Sequence, residues 1–432
     1  MRERISIARP PRLVSLDAFR GITIAGMILV NNPGSWGYVY SPLRHARWHG
    51  WTPTDLVFPF FLFIVGVAMA FSFQRRLTEP RARSRLFVQV VRRTLILFLL
   101  GLIMAGFPDF RLIGPQVLAV GGVAMLTAER PLISLGRIPV THVQKLVGAA
   151  VLAGAAIYFT VDVDHFHAQK QRVPGVLQRI AVCYFIASVA AMALGTRGRA
   201  VLSGIILLGY WVIVATAAPP AGYTAAVTGP EGLLHDWVDV QLLAGHLYGE
   251  RPDPEGLLST LPAVATVLLG MLVGQWLQAA RDSRDKAIGL FFVANVALVL
   301  AAWWHLALPI NKKIWTSSYV ILTAGLAMHF LAMCYWLIDV RGYRRWAWPF
   351  VVFGSNAIVV YFASSLVAKL LGRWKFMLPD GTTTSAKRWI YENVLASWAG
   401  EFNGSLLYAL SYILLWLLLL IPLYRRRIFV KI

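Results

Sequence analysis

Acidic residues, histidine and cysteine are all scarce in this chain. Cys183 and Cys334 are the two cysteines among 432 residues, and each falls inside a long apolar stretch. That leaves no basis for a disulfide framework or a thiolate metal site. The nine histidines show no metalloprotease-type spacing with carboxylates, so no metal is expected. Charged residues make up 14%, against roughly one quarter in an average soluble domain. There is no low-complexity tract, no internal repeat and no polar stretch long enough for a separate soluble domain. The chain therefore reads as a single domain over 1–432. The basic stub 1–12 precedes an apolar stretch too long for a signal h-region and without a small-residue cleavage site, so that stretch is expected to be retained.

What the sequence has is apolar length. Hydrophobic residues are 58% of the total and fall in blocks near 17–33, 55–74, 89–107, 112–128, 144–161, 176–195, 200–217, 258–280, 287–307, 316–338, 349–371 and 404–424. Each approaches the ~20 residues needed to cross a bilayer core. The expected fold class is all-α, a polytopic integral membrane bundle of about ten to twelve transmembrane helices, in contact with lipid. The blocks 112–128 and 144–161 are the weakest, short and glycine-rich. The net charge of +21 is concentrated in alternate turns when both termini are placed inside, the positive-inside asymmetry. The bases are scattered through short turns with no basic module, which argues against nucleic acid as a partner.

On that topology three longer polar stretches face outward: 33–51, 218–257 and 372–403. The first holds "LRHARWHG" (43–50), with His45 and His49, between Asn31-Asn32 and "TPTD" (52–55). Thr52 suits an N-cap and Pro53 the first helical position, so Asp55 is either a capping acid or the carboxylate that orients an imidazole. Both roles are compatible. A histidine held by a carboxylate at a wet-to-apolar boundary suits general-base work, and either histidine qualifies on these grounds.

Polar groups at membrane depth usually line an interior cavity. Gln178, Arg179 and Asn356 fit that description, whereas Asp17 and Arg20, three apart on one helix face, suit a helix-locking ion pair. "DPEG" (253–256) reads equally well as a helix-starting turn or as two carboxylates, Asp253 and Glu255, that grip a cationic or hydroxyl-rich ligand. Asn311 and the adjacent Lys pair stand on the side where bases are few. Inward-facing bases gather at 74–85, 92–93, 341–345 and 425–427, as topology and anionic lipid would require, or as phosphate ligands.

The motifs "SLDAFRG", "RHARWHG", "DLVFPFFLFIVG", "VPGVLQRIAVCYF", "DPEGLLSTLPAVATVLLG", "NKKIWTSSYV" and "VVFGSNAIVVY", in this order along nearly the whole chain, resemble the heparan-α-glucosaminide N-acetyltransferase family, and most closely its bacterial NagX-like members. The resemblance implies a transmembrane acetyltransferase of the bacterial inner membrane. Acetyl-CoA on the cytoplasmic side would donate its acetyl group to the amino group of a glucosamine-type sugar on the periplasmic side. It puts the catalytic histidine at His45 rather than His49, and maps Asn31 and Asp55 beside it, Asn31 as an oxyanion donor. Asp253, Glu255, Asn311, Asn356, Gln178 and Arg179 become substrate contacts, and Arg20, Arg344, Arg345 and Arg425 the phosphate ligands. A homodimer is implied as well. Residues 108–172 are longer than the corresponding stretch of the animal enzyme and read as an extra helical pair. A bacterial-type chain has no heparan sulfate to work on, so free glucosamine or a cell-wall amino sugar is the expected acceptor. The rival reading is a secondary transporter for amino sugars. Twelve spans and buried polar groups suit it, but the inverted repeat and paired broken spans of such proteins are missing.

Overall fold

A computed structural model describes residues 13–430, apart from 78–79, 129–140, 162–170, 218, 221, 224–226, 228 and 250. The apolar blocks become helices, as a chain with this little turn chemistry inside its blocks must. They are α1 (Val14–Asn31), α2 (Pro53–Leu77), α3 (Pro80–Gly106), α4 (Phe110–Thr127), α5 (Thr141–Val161), α6 (Val176–Ala193) and α7 (Thr196–Thr216). Then follow the short α8 (Leu234–Leu243), α9 (Leu257–Gln278), α10 (Ser283–Ala307), α11 (Ser317–Cys334), α12 (Trp348–Ser355), α13 (Ala357–Arg373) and α14 (Glu401–Arg425). A two-stranded hairpin, Lys375–Met377 with Thr383–Ser385, opens the connection to α14.

Among the described residues ten helices are long and apolar enough to cross a membrane. The block 349–371 is one broken span, α12 and α13 meeting at 83°, and 144–158 forms a shorter apolar helix. The fold is thus an all-α polytopic membrane bundle. α4 and α5 pack on each other and, through α4, on α3.

The bundle centre is α2 against α9. A Cβ on Gly66 would fall 2.0 Å from Val267 O, and one on Gly270 2.1 Å from Phe63 O. Backbones approach this closely only across small residues, the way helices associate where lipid removes the hydrophobic drive between them. The same device joins α1 to α12, where a Cβ on Gly354 would meet Asp17 O at 2.0 Å. The break in the α12–α13 span follows two residues later, at Asn356. Past Ser355 the chain turns, and Arg20 Nη1 donates to Gly354 O at 3.2 Å.

Two ends result. At one, α1 begins, α2 finishes and α14 delivers the C-terminal tail. At the other lie the loops 32–52, 171–175, 244–256 and 308–316, tied together by Gly50 N to Ile310 O (2.8 Å) and Val173 N to His246 O (2.9 Å). α2 runs from Asp55 at the second end to Arg76 at the first, a rise of about 32 Å at 1.5 Å per residue.

Candidate active site and a cavity at the opposite end

At the loop end, α2 starts as its sequence requires. Asp55 Oδ2 accepts from Thr52 N (3.0 Å), Thr52 Oγ1 (3.1 Å) and Ala46 N (3.0 Å). This is the reach-back of a capping acid, and it also fixes the loop that carries His45. The other oxygen, Oδ1, faces His45 Nδ1 at 2.7 Å. A carboxylate accepts, so Nδ1 holds the hydrogen and Nε2 keeps its lone pair. The Asp55 side chain is 1% exposed and that of His45 48%, so an anchored carboxylate orients an imidazole that remains accessible. Tyr319 Oη donates to the main-chain carbonyl of Asp55 from α11.

Lys312 completes this group from the 308–316 loop. Its Nζ lies 3.4 Å from Asp55 Oδ1, and 2.9 and 3.4 Å from the two ring nitrogens of His45. Since Nδ1 already donates to Asp55, the ion pair with Asp55 is the interaction that holds the lysine. Burial pulls its ammonium below the ordinary lysine range, against the attraction of Asp55 and Glu255.

Beside this group lies a second ionic cluster. Arg172 donates to Asp253 (Nη2–Oδ1 2.6 Å, Nε–Oδ2 3.3 Å) and to Glu255 Oε2 (2.6 Å), while its guanidinium stacks 4.4 Å from the Tyr248 ring centre. Burial opposes the charge on Arg172, but the two carboxylates outweigh it and raise the pKa. Asp253 also accepts from Tyr248 N (2.8 Å) and Glu255 N (2.9 Å). Its oxygens are engaged by the protein itself, whereas Glu255 Oε1 makes no hydrogen bond among the described residues. The start of α9 is held by Asp239 Oδ1, which accepts from Leu257 N at 2.8 Å. A Cβ on Gly256 would fall 2.0 Å from Asp239 Oδ2, so only glycine fits there.

Between the two clusters sit fully buried polar groups. Arg179, 2% exposed, donates through Nη2 to Gly256 O (2.9 Å) and Ser259 Oγ, and lies 5.2 Å from the Trp315 ring centre. Its Nε and Nη1, both amide atoms of Gln178, and Asn311 Nδ2 are buried without a hydrogen-bond partner among the described residues. Unpaired buried donors are costly, about 1–3 kcal/mol each, and they concentrate where a ligand completes them.

At the end where α1 begins and α14 finishes, a cavity of about 710 Å³ opens among Arg20, Arg76, Arg92, Arg93, Asp17 and Asn356. It continues past Tyr184 to Phe61, Leu177 and Ile180. Phe61 is about 22 Å along α2 from Arg76 and about 9 Å short of Asp55. Leu177 directly precedes Gln178 and Arg179. The cavity thus runs from a basic mouth to the first turn of α6, beneath the polar groups of the loop end.

Of the sequence-derived candidates, His45 and Asp55 meet, and Gln178, Arg179, Asn311 and Glu255 lie at the same end. Asn31 is exposed at the last position of α1 and shares no hydrogen bond with His45 or Asp55. Asn356 belongs to the opposite end. Its Nδ2 donates to Ile428 O (3.1 Å) and its Oδ1 accepts from Val430 N (2.9 Å), so it fastens the tail beside the cavity mouth. Arg344, Arg345 and Arg425 are exposed and do not line the cavity. Arg20 does, together with Arg76, Arg92 and Arg93, which the sequence groups only as inward-facing bases. Lys312 and Arg172 are site residues that sequence reasoning misses. The signal for Lys312 is a lysine pair on the side poor in bases, while Arg172 carries none. Cys183 and Cys334 are buried and unpaired, and among the described residues no group of three or more potential metal ligands occurs.

The family model for the heparan-alpha-glucosaminide N-acetyltransferase catalytic region matches residues 12–307. Human heparan-alpha-glucosaminide N-acetyltransferase is 27% identical over 479 residues, covering 98% of this chain and 60% of the relative. The mouse protein of the same name is 26% identical over 455 residues, with the same coverages. The chain therefore spans about 60% of the length of these curated relatives. The matched region takes in His45, Asp55, Arg172, Gln178, Arg179 and Glu255, and ends short of Lys312. With the site region and most of the bundle inside that match, the chain belongs to the heparan-alpha-glucosaminide N-acetyltransferase catalytic family.

Proposed function

We propose that the chain is a transmembrane acetyltransferase that moves the acetyl group of acetyl-CoA to the amino group of a glucosamine-type sugar. The observation that carries this reading is the pairing of an arginine-lined cavity at one end with an oriented imidazole at the other, with buried unpartnered donors at the loop end above the cavity's inner lining. A transferase taking donor and acceptor from opposite faces needs both. In this reading the termini are cytoplasmic in a bacterial inner membrane, following the charge asymmetry, and His45 faces the periplasm. The acceptor is free glucosamine or a cell-wall amino sugar.

The CoA phosphates bind among Arg20, Arg76, Arg92 and Arg93, where guanidinium groups match phosphate oxygens. The pantetheine arm follows Phe61, Leu177 and Ile180, and presents the thioester under Arg179. The neutral sugar amine attacks the thioester carbon while His45 Nε2 takes the nitrogen's proton. Asp55 stabilises the imidazolium that forms and keeps the ring in the required tautomer. Charge developing on the acetyl oxygen meets donors left without a partner among the described residues, Arg179 Nε and Nη1 and Asn311 Nδ2, in a water-poor site where they count most. When the C–S bond breaks, the thiolate leaves and recovers the proton from His45, giving N-acetyl sugar and CoA. Glu255 accepts from the sugar, and Asp253 with Arg172 holds Glu255 in place.

The test is acetyl transfer by purified protein in detergent, with radiolabelled acetyl-CoA and glucosamine. Labelled N-acetylglucosamine forming without any gradient supports the reading. Sugar uptake into proteoliposomes with no acetylated product would overturn it in favour of transport.

A further inference from the structure

On the other side of α2 from the donor cavity, a smaller cavity of about 240 Å³ is lined by Gln74, Thr196, Arg199, Gln275 and Gln278, with Ala70, Phe73 and Met271 beneath. Arg199 is 6% exposed, yet no carboxylate lies within ion-pair distance of it among the described residues. Its partners are neutral. Nε donates to Gly195 O at 3.2 Å, and Gln275 turns its amide oxygen to Nη1 and Nη2 at 2.9 and 2.8 Å. Arg199 also lies in the first turn of α7, where the helix dipole is positive and a cation is disfavoured. Desolvation and dipole therefore oppose this charge together, and a buried cation without a counter-ion is among the costlier features a protein can carry. Gln278 Nε2 is a further buried donor without a partner. Among the described residues the cavity collects donors and positive charge and holds no acceptor of opposite sign.

We propose that this cavity is a phosphoryl-binding site, independent of the donor cavity, in which Arg199, Gln275 and Gln278 hold a phosphate oxygen. An anionic lipid headgroup and free phosphate are two sources of this chemistry, and they separate on whether binding needs acyl chains.

The experiment is thermal unfolding of delipidated protein in detergent, wild type against Arg199→Gln and Arg199→Lys. Added phosphatidylglycerol raises the wild-type midpoint by about 1 °C or more, the shift that roughly 1 kcal/mol of binding gives in a chain of 432 residues. Diacylglycerol, with the same chains and no phosphate, does not. Arg199→Gln abolishes the response and melts no lower than wild type without lipid, because the uncompensated charge has gone. Arg199→Lys retains part of the response, which shows that loss in the Gln variant is not misfolding. A rise with inorganic phosphate alone keeps the site and assigns it to a soluble ligand. An Arg199→Gln protein that responds like wild type, or a wild type indifferent to both probes, overturns the proposal. So does a raised KM for acetyl-CoA in Arg199→Gln, which would make this pocket part of the donor site.

Discussion

Asp55→Asn is the most informative single substitution, because it keeps the shape of the side chain and removes its charge. Oδ1 faces His45 and Lys312, while Oδ2 accepts from Thr52 and Ala46. Each oxygen is thus surrounded by donors. An amide offers one oxygen and one NH2 group, so one side of the new side chain must set a donor against donors whichever way it turns. Lys312 also loses a counter-charge 3.4 Å away, a gross attraction of roughly 5 kcal/mol at an effective dielectric of about 20. Breaking a buried pair by removing one partner costs about 3–5 kcal/mol net. The expected loss of stability is of that size. Acetyl transfer should fall by about 10⁴, the order seen when the carboxylate orienting a catalytic imidazole becomes an amide. The two effects separate when Lys312→Met is added to Asp55→Asn. Removing the stranded ammonium restores much of the melting temperature and none of the rate. The assay is radiolabelled transfer at saturating acetyl-CoA, paired with thermal unfolding of the same samples. If the rate recovers along with stability, Asp55 acts only by balancing Lys312, and the orienting role is refuted. Losses from Asp55→Asn and His45→Ala that multiply in the double variant would refute it as well, since groups acting as one unit do not add.

His45→Ala should lose about 10²–10⁴ in rate, the worth of a general base, while His49→Ala keeps most of its activity. Equal losses in two folded variants, measured by the same transfer assay, would sink the assignment. Arg92→Ala and Arg93→Ala should each raise KM for acetyl-CoA about tenfold or more, with a small change in kcat, since phosphate contacts made equally in ground and transition states are uniform binding. Steady-state kinetics at varied acetyl-CoA decides this. Burial lifts the Asp239 carboxyl to about 6. The folded state therefore holds a proton that the unfolded chain releases near pH ~4, and this contribution to stability fades as pH rises through about 6. Asp239→Asn, which can still cap α9, should flatten the melting temperature between about pH 4 and 7, and an unchanged slope would contradict the assignment.

The spans were legible because a bilayer imposes a length on apolar segments, and that length is written locally. The break at Asn356 was not. "VVFGSNAIVVY" is apolar over most of its length, and its packing partner at Gly354 is α1, more than three hundred positions away. His45 with Asp55 was readable because the two are close in sequence and one helix start organises both. Lys312 reaches them across most of the chain, and nothing local marks it beyond its sign on a side poor in bases. Asp253 and Glu255 looked alike as a pair of acids in a turn. Arg172, itself unremarked, consumes the first and leaves an oxygen of the second. Among the bases, sequence could not tell cavity from surface, since that depends on the direction in which each helix presents its side chain. Arg92 and Arg93 turn inward, whereas Arg344 and Arg345 sit in an exposed turn.

The fastening of the tail by Asn356 makes residues 428–430 part of the rim of the arginine-lined cavity, although they lie at the far end of the chain from His45 and Asp55. A fusion or truncation that pulls Ile428 and Val430 away strips both bonds from the Asn356 amide at the very point where the helix is broken and Arg20 is braced against Gly354. Affinity tags are ordinarily treated as inert. Placed after this tail, a tag bears on the Asn356 amide and on the cavity rim, and preparations tagged at opposite ends are not interchangeable for measurements at that cavity.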